Sequence, residues 1–260
     1  MTIRWQRELP QWVLLWGMFA LAAFSWDAVP ETLPVHWNLA GEADRYGGKL
    51  EALLAFPLIA LVTYVLLLLA PRVVGTGLEQ LGSLYTGIRF GIVLLLTALY
   101  VMTVLGLLGY PIDMTRGATI LVGATLEAVG SVMGRVRPNP VMGIRTPWTL
   151  TSEASWTASQ RWGGRLFMVV GALLMLGGLT GLQLVMLGGI GVLLVGMVVL
   201  IWYGYRVNRN DPHRLPKGQT LLTVRNGPSP AADRQASADR SEGRARQRPG
   251  GRRRKGPHGR

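Results

Sequence analysis

Six runs of apolar residues alternate with polar segments over the first 205 residues of the chain. The run over residues 53–70 carries no charge, and its length suits an α-helix that crosses a hydrocarbon core of about 30 Å. Six such runs exceed what the core of a short soluble chain can bury. The pattern therefore predicts an all-α integral membrane protein, because lipid offers the backbone no hydrogen-bond partner. The predicted spans are residues 12–26, 53–70, 90–110, 118–133, 166–182 and 184–205.

Basic residues set the expected orientation of these spans. Arg4 and Arg7 precede the first span, and the segment between the fourth and fifth spans (residues 135–165, the inner loop) holds five arginines. The segments predicted to lie outside are poorer in Lys and Arg. Cytoplasmic loops of membrane proteins carry an excess of Lys and Arg, so both termini are expected inside.

The net charge of +13 is concentrated at one end of the chain. Residues 206–260 contain 15 Lys and Arg against 4 Asp and Glu, which is +11 of the total. This tail is rich in Gly, Pro and Arg, so residues 208–260 are expected to be disordered and to bind anionic lipid headgroups. Nucleic acid is not indicated, since no aromatic residues interleave its basic run. The absence of Cys excludes disulfides, thiolate metal sites and a Cys nucleophile.

The polar segment between the first two spans, LPVHWNLAGEADRYGGK, is the first candidate site. Glycines, Asn and Asp favour tight turns, and aromatic residues favour a membrane surface. Glu42 and Asp44 beside His36 leave an enzyme open as one alternative, although no nucleophile accompanies them. Too few ligands are present for a metal site, and neither metal nor cofactor is predicted. The expected recognition residues are His36, Trp37, Asn38, Gly41, Asp44 and Tyr46.

Glu127 is the one acid inside a predicted span. An intramembrane carboxylate is a candidate functional group by default. Glu127 lies near the inner end of its span, so pairing with an arginine or snorkelling to the interface is an equal alternative. A small transporter that uses Glu127 is therefore the first alternative function.

The inner loop is the second candidate site. Its prolines prevent a continuous helix, and Thr151 or Ser152 is expected to cap a short helix that begins near Glu153. Tryptophans among arginines suit a segment at the headgroup boundary. The guanidinium of Arg145 suits a carboxylate, a phosphate or helix carbonyls, so structural pairing, lipid contact and partner recognition all remain open.

The sequence NPVMGIRTPWTLTSEASW, followed by RWGGR, closely resembles the signature of the SdpI family of bacterial membrane proteins. The outer segment resembles a module often found N-terminal to that signature, through Pro34, His36, Trp37, Asn38, Gly41, Asp44, Tyr46 and Lys49. Ser159 and Gln160 depart from the family pattern, so roles tied to those positions are not carried over. The inner residues to which the resemblance assigns the signature are Asn139, Gly143, Arg145, Thr146, Pro147, Trp148 and Trp156.

The resemblance implies a non-enzymatic protein of the immunity and signalling type in the bacterial plasma membrane. Its expected partners are the lipid bilayer, a secreted toxin peptide outside and a transcriptional repressor inside. The predicted divisions are an N-terminal module with two spans (1–70), a third span with its loops (71–115), an SdpI-like module (116–207) and the basic tail (208–260). The sequence predicts no oligomeric state.

Overall fold

The structure is a computed structural model, and it describes residues 5–38, 41–74, 82–139, 142–216 and 218–226. The chain divides into two compact units, residues 1–221 and 222–260. Of the second unit, only residues 222–226 at the end of a short helix are described. The predicted disordered tail from residue 227 onward lies outside the described residues.

The first unit is mostly helical. Each predicted apolar span corresponds to one helix, and all six helices begin before the predicted span. The elements in chain order are α1 (Trp5–Ser25), β1 (Thr32–Trp37), β2 (Ala43–Gly48), α2 (Lys49–Val74), α3 (Ser83–Leu107), α4 (Met114–Met133), α5 (Glu153–Thr180), α6 (Gln183–Arg209) and α7 (Leu221–Asn226).

Four of the described helices, α2, α3, α5 and α6, are long and apolar enough to cross a membrane. Their surfaces agree with this, since large apolar side chains face outward along them, such as Leu184 and Val198 on α6. Apolar patches of that extent are rare on soluble monomers. The helices α1 and α4 fall outside this group, so the six-span arrangement stays a prediction.

The pair α4 and α5 packs at the closest range that backbones allow. A Cβ placed on Gly123 would lie 2.7 Å from the carbonyl oxygen of Gly171, and one on Gly130 would lie 2.6 Å from that of Gly164. Seven residues separate the two glycines of each helix, so both contacts lie on one face. This is the close packing that small residues permit between membrane helices.

A buried cluster joins α1, α2 and α3 and fixes the start of the outer segment to them. Val29 and Leu33 belong to this cluster together with Leu53, Tyr64 and Val104. The strands β1 and β2 pair antiparallel, with Thr32 opposite Gly48 and irregular register near His36. The expected ordered outer loop is thus a β-hairpin, which adds two strands to the predicted all-α fold.

The inner loop differs from the expected short helix in one respect. Ser152 caps a helix through its hydroxyl, which accepts a hydrogen bond from the amide of Ser155 at 3.0 Å. That helix, however, does not stop before the fifth span but continues as α5 to Thr180. Gly163 and Gly164 lie inside it, buried against neighbours that a side chain would displace.

The predicted start of the disordered tail at residue 208 is too early. Asn208 donates through Nδ2 to the carbonyl oxygen of Trp148 at 2.9 Å. The amide of Leu215 donates to the carbonyl oxygen of Thr151 at 2.8 Å. The amide of Leu221 donates to the carbonyl oxygen of Leu150 at 2.7 Å. Residues 208–216 and 218–221 therefore run along the inner loop as an ordered strap, because loop carbonyls and strap donors satisfy each other.

Candidate functional site

The outer hairpin presents His36 and Asp44 side by side. Nδ1 of His36 lies 2.6 Å from Oδ1 of Asp44, and their side chains are 61% and 43% exposed. The two residues lie on neighbouring strands, which brings them together across eight positions of sequence. Glu42, the third member of the enzyme hypothesis, instead contacts Asn38, and among the described residues no nucleophile forms a hydrogen bond with the His36 and Asp44 side chains.

Asn38 organises the turn between the strands. Its Oδ1 accepts from the amide of Glu42 at 3.0 Å, and its own amide donates to the carbonyl oxygen of Glu42 at 2.9 Å. Gly41 follows at φ +83°, a conformation that L side chains rarely adopt. The hydroxyl of Thr115, on α4, approaches the carbonyl oxygen of Asn38 at 3.4 Å and so ties the turn to that helix.

A pocket of about 1040 Å³ opens beneath the hairpin and reaches between α2, α3 and α4. Its lining is mostly apolar, with polar residues from the hairpin and the helices among it. Such a combination is typical of ligand pockets in proteins. The lining residues are Val35, His36, Trp37, Asn38, Asp44, Phe56, Leu99, Met102, Thr103, Met114, Thr115, Ala118, Thr119 and Gln183. Gly41 and Tyr46, also predicted for the outer site, are not part of this lining, and the Tyr46 side chain is 61% exposed.

The inner signature residues form a folded hydrogen-bonded loop. The buried Asn139 accepts from the amide of Met142 at 2.7 Å and donates to the carbonyl oxygen of Arg137 at 2.9 Å. The Thr149 hydroxyl donates to the carbonyl oxygen of Ile144 at 2.9 Å and accepts from the amide of Thr146 at 2.9 Å. These side chains replace the backbone partners that a loop with three prolines lacks.

Gln160 on α5 holds the centre of the loop. Its Oε1 accepts from the amide of Ile144 at 3.1 Å, and its Nε2 donates to the carbonyl oxygen of the same residue at 3.2 Å. Gly143 lies at φ +98°, and a Cβ there would stand 2.7 Å from Oε1 of Gln160. Sequence reasoning set Gln160 aside, but its amide pairs with both polar groups of one loop residue.

The two signature tryptophans are anchors rather than surface groups. Trp156 is 1% exposed, and its Nε1 donates to the carbonyl oxygen of Val136 at 2.8 Å. Trp148 packs edge-on against Tyr205 with ring centroids 5.7 Å apart. Pro147, next to it, is exposed. The loop is therefore fixed to α5 and α6 through large aromatic contacts.

The strap adds an ionised group to this arrangement. The Ser152 hydroxyl donates to Oδ2 of Asp211, and the amide of His213 donates to Oδ1 at 2.9 Å. The Ser152 hydrogen bond is the main cause that lowers the pKa of Asp211 below its usual range, followed by the His213 amide. The carboxylate is thus the form that the strap binds.

Arg145 stands apart from this network. It is exposed, and among the residues that the structure describes it forms no hydrogen bond or ion pair. The structural pairing considered from sequence is not formed within that part of the chain. Arg145 is therefore a cation held on an ordered loop and available to an external anion.

Glu127 lies on α4 against Gly171 of α5, and it is partly exposed. Within the described ranges its carboxylate has no hydrogen bond or ion pair, so the proposed arginine pairing is not found there. The pocket beneath the hairpin does not include Glu127. The polar cavity that a transporter hypothesis requires is not shown beside it.

A buried ion pair escaped sequence reasoning. Arg89 Nη2 lies 2.5 Å from Oε1 of Glu8, with the side chains 3% and 5% exposed, and the Tyr64 hydroxyl donates to Oε2 of Glu8 at 3.2 Å. These residues come from α3, α1 and α2. Both charged residues lay outside the predicted spans, so no sequence signal joined them.

No group of three or more His, Cys, Asp or Glu that could hold a metal ion occurs among the described residues. Together, the apolar helices, the anchored inner loop and the hairpin define a mostly helical, multi-pass membrane protein.

Comparisons with known proteins narrow this class. Residues 135–207 match the SdpI/YfhL protein family, and residues 13–61 match a domain of unknown function, DUF1648. Over 159 residues the chain is 25% identical to the immunity protein SdpI of Bacillus subtilis (strain 168), covering 59% of this chain and 72% of that protein. No solved structure matches the chain. The family match and the relative together support the SdpI family for this chain.

Proposed function

We propose that this chain is an immunity-type protein of the bacterial plasma membrane that protects against a secreted antimicrobial peptide. The observation that carries the proposal is the likeness to an immunity protein over 159 residues, joined to a pocket on the hairpin side of the helices. The proposal is non-enzymatic. It assigns recognition of the peptide to the hairpin and its pocket.

The proposal assigns the inner loop to a second task, contact with a transcriptional repressor. Two features support it. The loop is ordered by its own side chains and by Gln160, and Arg145 projects from it without a partner among the described residues. A rigid loop that displays an exposed guanidinium suits recognition of an acidic surface. The basic tail would hold anionic lipid on the same side of the membrane.

The assignment of two faces requires six spans with both termini inside. The chain lacks Cys, so single cysteines give an unambiguous test. Glu42 on the hairpin and Glu153 at the start of α5 are both exposed, so cysteines there should react without unfolding the protein. We expect an impermeant maleimide to label Glu42→Cys in intact cells and Glu153→Cys only after lysis. Labelling of Glu153→Cys in intact cells would reject the orientation.

The decisive experiment is survival of a sensitive bacterial strain that expresses the chain and is challenged with a secreted peptide toxin. We expect wild-type protein to protect. We expect His36→Ala to reduce protection and Arg145→Ala to leave protection intact while releasing the repressor from the membrane. Pro216→Ala, in the strap and outside both candidate sites, is the matched control. Absence of protection at normal membrane levels would reject the immunity function.

A further inference from the structure

The charges around the hairpin pocket are unbalanced. Three cations lie on the outer side, and each is neutralised by a carboxylate: Arg45 by Glu51 at 2.6 Å, Lys49 by Glu31 at 3.0 Å, and Arg116 by Asp113 at 3.1 Å. The three cations of this face are therefore all paired with carboxylates of the protein itself.

Three acids of the same face keep no Lys or Arg partner among the described residues. They are Asp27, Glu42 and Asp44. Of these, Asp44 lines the pocket, and its contact with His36 uses Oδ1 only. Oδ2 of Asp44 therefore has no hydrogen-bond or ion-pair partner among the described residues, and Phe56 and Leu99 line the same pocket.

The wall of the pocket suits an apolar side chain of variable shape. Met102 and Met114 both line it, and flexible thioether side chains adapt to irregular partners. The described lining contains His36 but no Lys or Arg, so an anionic headgroup would find no permanent positive charge there. A carboxylate in a mostly apolar lining selects for a cation next to bulky apolar groups.

We propose that the hairpin pocket binds a cationic amphipathic segment of a peptide, with an apolar side chain against Phe56 and Leu99 and a Lys or Arg at Asp44. The inference rests on the proposed function, because it takes the occupant to be a secreted peptide. It goes further by stating the chemistry of that peptide and the residue that selects it.

The test uses the full chain in nanodiscs of zwitterionic phosphatidylcholine. Two fluorescent synthetic peptides share a leucine- and phenylalanine-rich centre, and one carries a lysine at each end while the other carries a glutamate. Binding to empty nanodiscs is subtracted. We expect the lysine peptide to bind with about fivefold higher affinity than the glutamate peptide, since one exposed ion pair contributes up to about that factor.

Substitutions identify the site. Asp44→Asn should weaken the lysine peptide about fivefold and leave the glutamate peptide unchanged or slightly stronger. Asp27→Asn removes the same charge from the same face outside the pocket, and it should leave both affinities unchanged. Ala118→Trp, which fills the pocket, should weaken the lysine peptide more than Asp44→Asn does.

Equal binding of the two peptides, or equal effects of Asp44→Asn and Asp27→Asn, would overturn the proposal. Because Asp27 and Asp44 are both exposed, these variants should fold and give an answer even if Ala118→Trp does not. Binding with the expected selectivity but no protection in cells would reject the immunity function and keep the pocket chemistry. Protection in cells without charge-selective binding would keep the immunity function and reject the pocket chemistry.

Discussion

The ion pair of Glu8 and Arg89 should control the stability of the α1, α2 and α3 cluster. Both residues are about 96% buried, and the carboxylate also accepts from the Tyr64 hydroxyl. Glu8→Met strands a buried guanidinium, which costs about 3 kcal/mol or more in the free energy of unfolding. That loss corresponds to a fall of about 6–12 °C in the unfolding temperature of a domain this size. Thermal unfolding in detergent, followed by circular dichroism, measures it.

The double variant decides whether the pair itself is responsible. Arg89→Met alone should cost less than Glu8→Met, because the Tyr64 hydroxyl still donates to the remaining carboxylate. The double variant should recover to within about 1 kcal/mol of wild type, since a buried pair replaced by apolar groups is often neutral. Arg145→Met, exposed and without a partner in the described residues, should change stability by less than about 0.5 kcal/mol. Additive losses in the double variant would refute the reasoning.

Three further outcomes are expected. Gly130→Leu forces a side chain against a carbonyl oxygen of α5 and should lower the free energy of unfolding by about 1–3 kcal/mol, as measured by thermal unfolding. Gly191 has open space around it, so Gly191→Leu should lower it little in the same measurement. Gln160→Leu leaves the buried Ile144 amide unpaired, while the Ile144 carbonyl oxygen keeps the hydrogen bond from the Thr149 hydroxyl, so hydrogen exchange at the Ile144 amide should accelerate by at least about tenfold. The pKa of Asp211 in the folded protein lies below its ordinary value of 3.8, so the carboxylate holds the strap fully above that pH and loses its hold as the pH falls through the lowered pKa. Hydrogen exchange over residues 211–216 should rise as the pH falls through that range, and Asp211→Asn should remove this pH dependence.

The helices could be predicted from the sequence, because the spacing and length of the apolar runs indicate directly where helices form. The prediction failed at the boundary between the inner loop and the fifth span. A short helix near Glu153 and a separate span from residue 166 were expected, yet one helix, α5, covers both, with Gly163 and Gly164 inside it. The cost of a helical glycine is about 1 kcal/mol, and close packing of two helices offsets it. That packing depends on Gly130 on another helix, and one segment of sequence does not report it.

The pocket and the buried ion pair illustrate a different limit. Glu8 and Arg89 are 81 positions apart, and nothing local distinguishes Glu8 from an exposed acid before a span. The pocket likewise combines hairpin residues with Met102 and Met114, which separately resemble ordinary helix core. The residues His36, Asn38 and Asp44 could be selected from the outer segment, but their partners require the packing of helices.

Gln160 shows how a departure from a family pattern can mislead. Gln160 stands where the family pattern has a different polar residue, so the resemblance assigned it no role. In the structure its amide matches both backbone groups of Ile144, and Gly143 must lack a side chain for that approach. What the position requires is therefore a hydrogen-bond donor and an acceptor at a fixed distance from the backbone, and this matters more than the identity of the residue. Gln160→Asn keeps the chemistry and shortens the reach, so it should fail to restore the protected Ile144 amide, whereas Gln160→Glu retains the acceptor alone and should protect it in part.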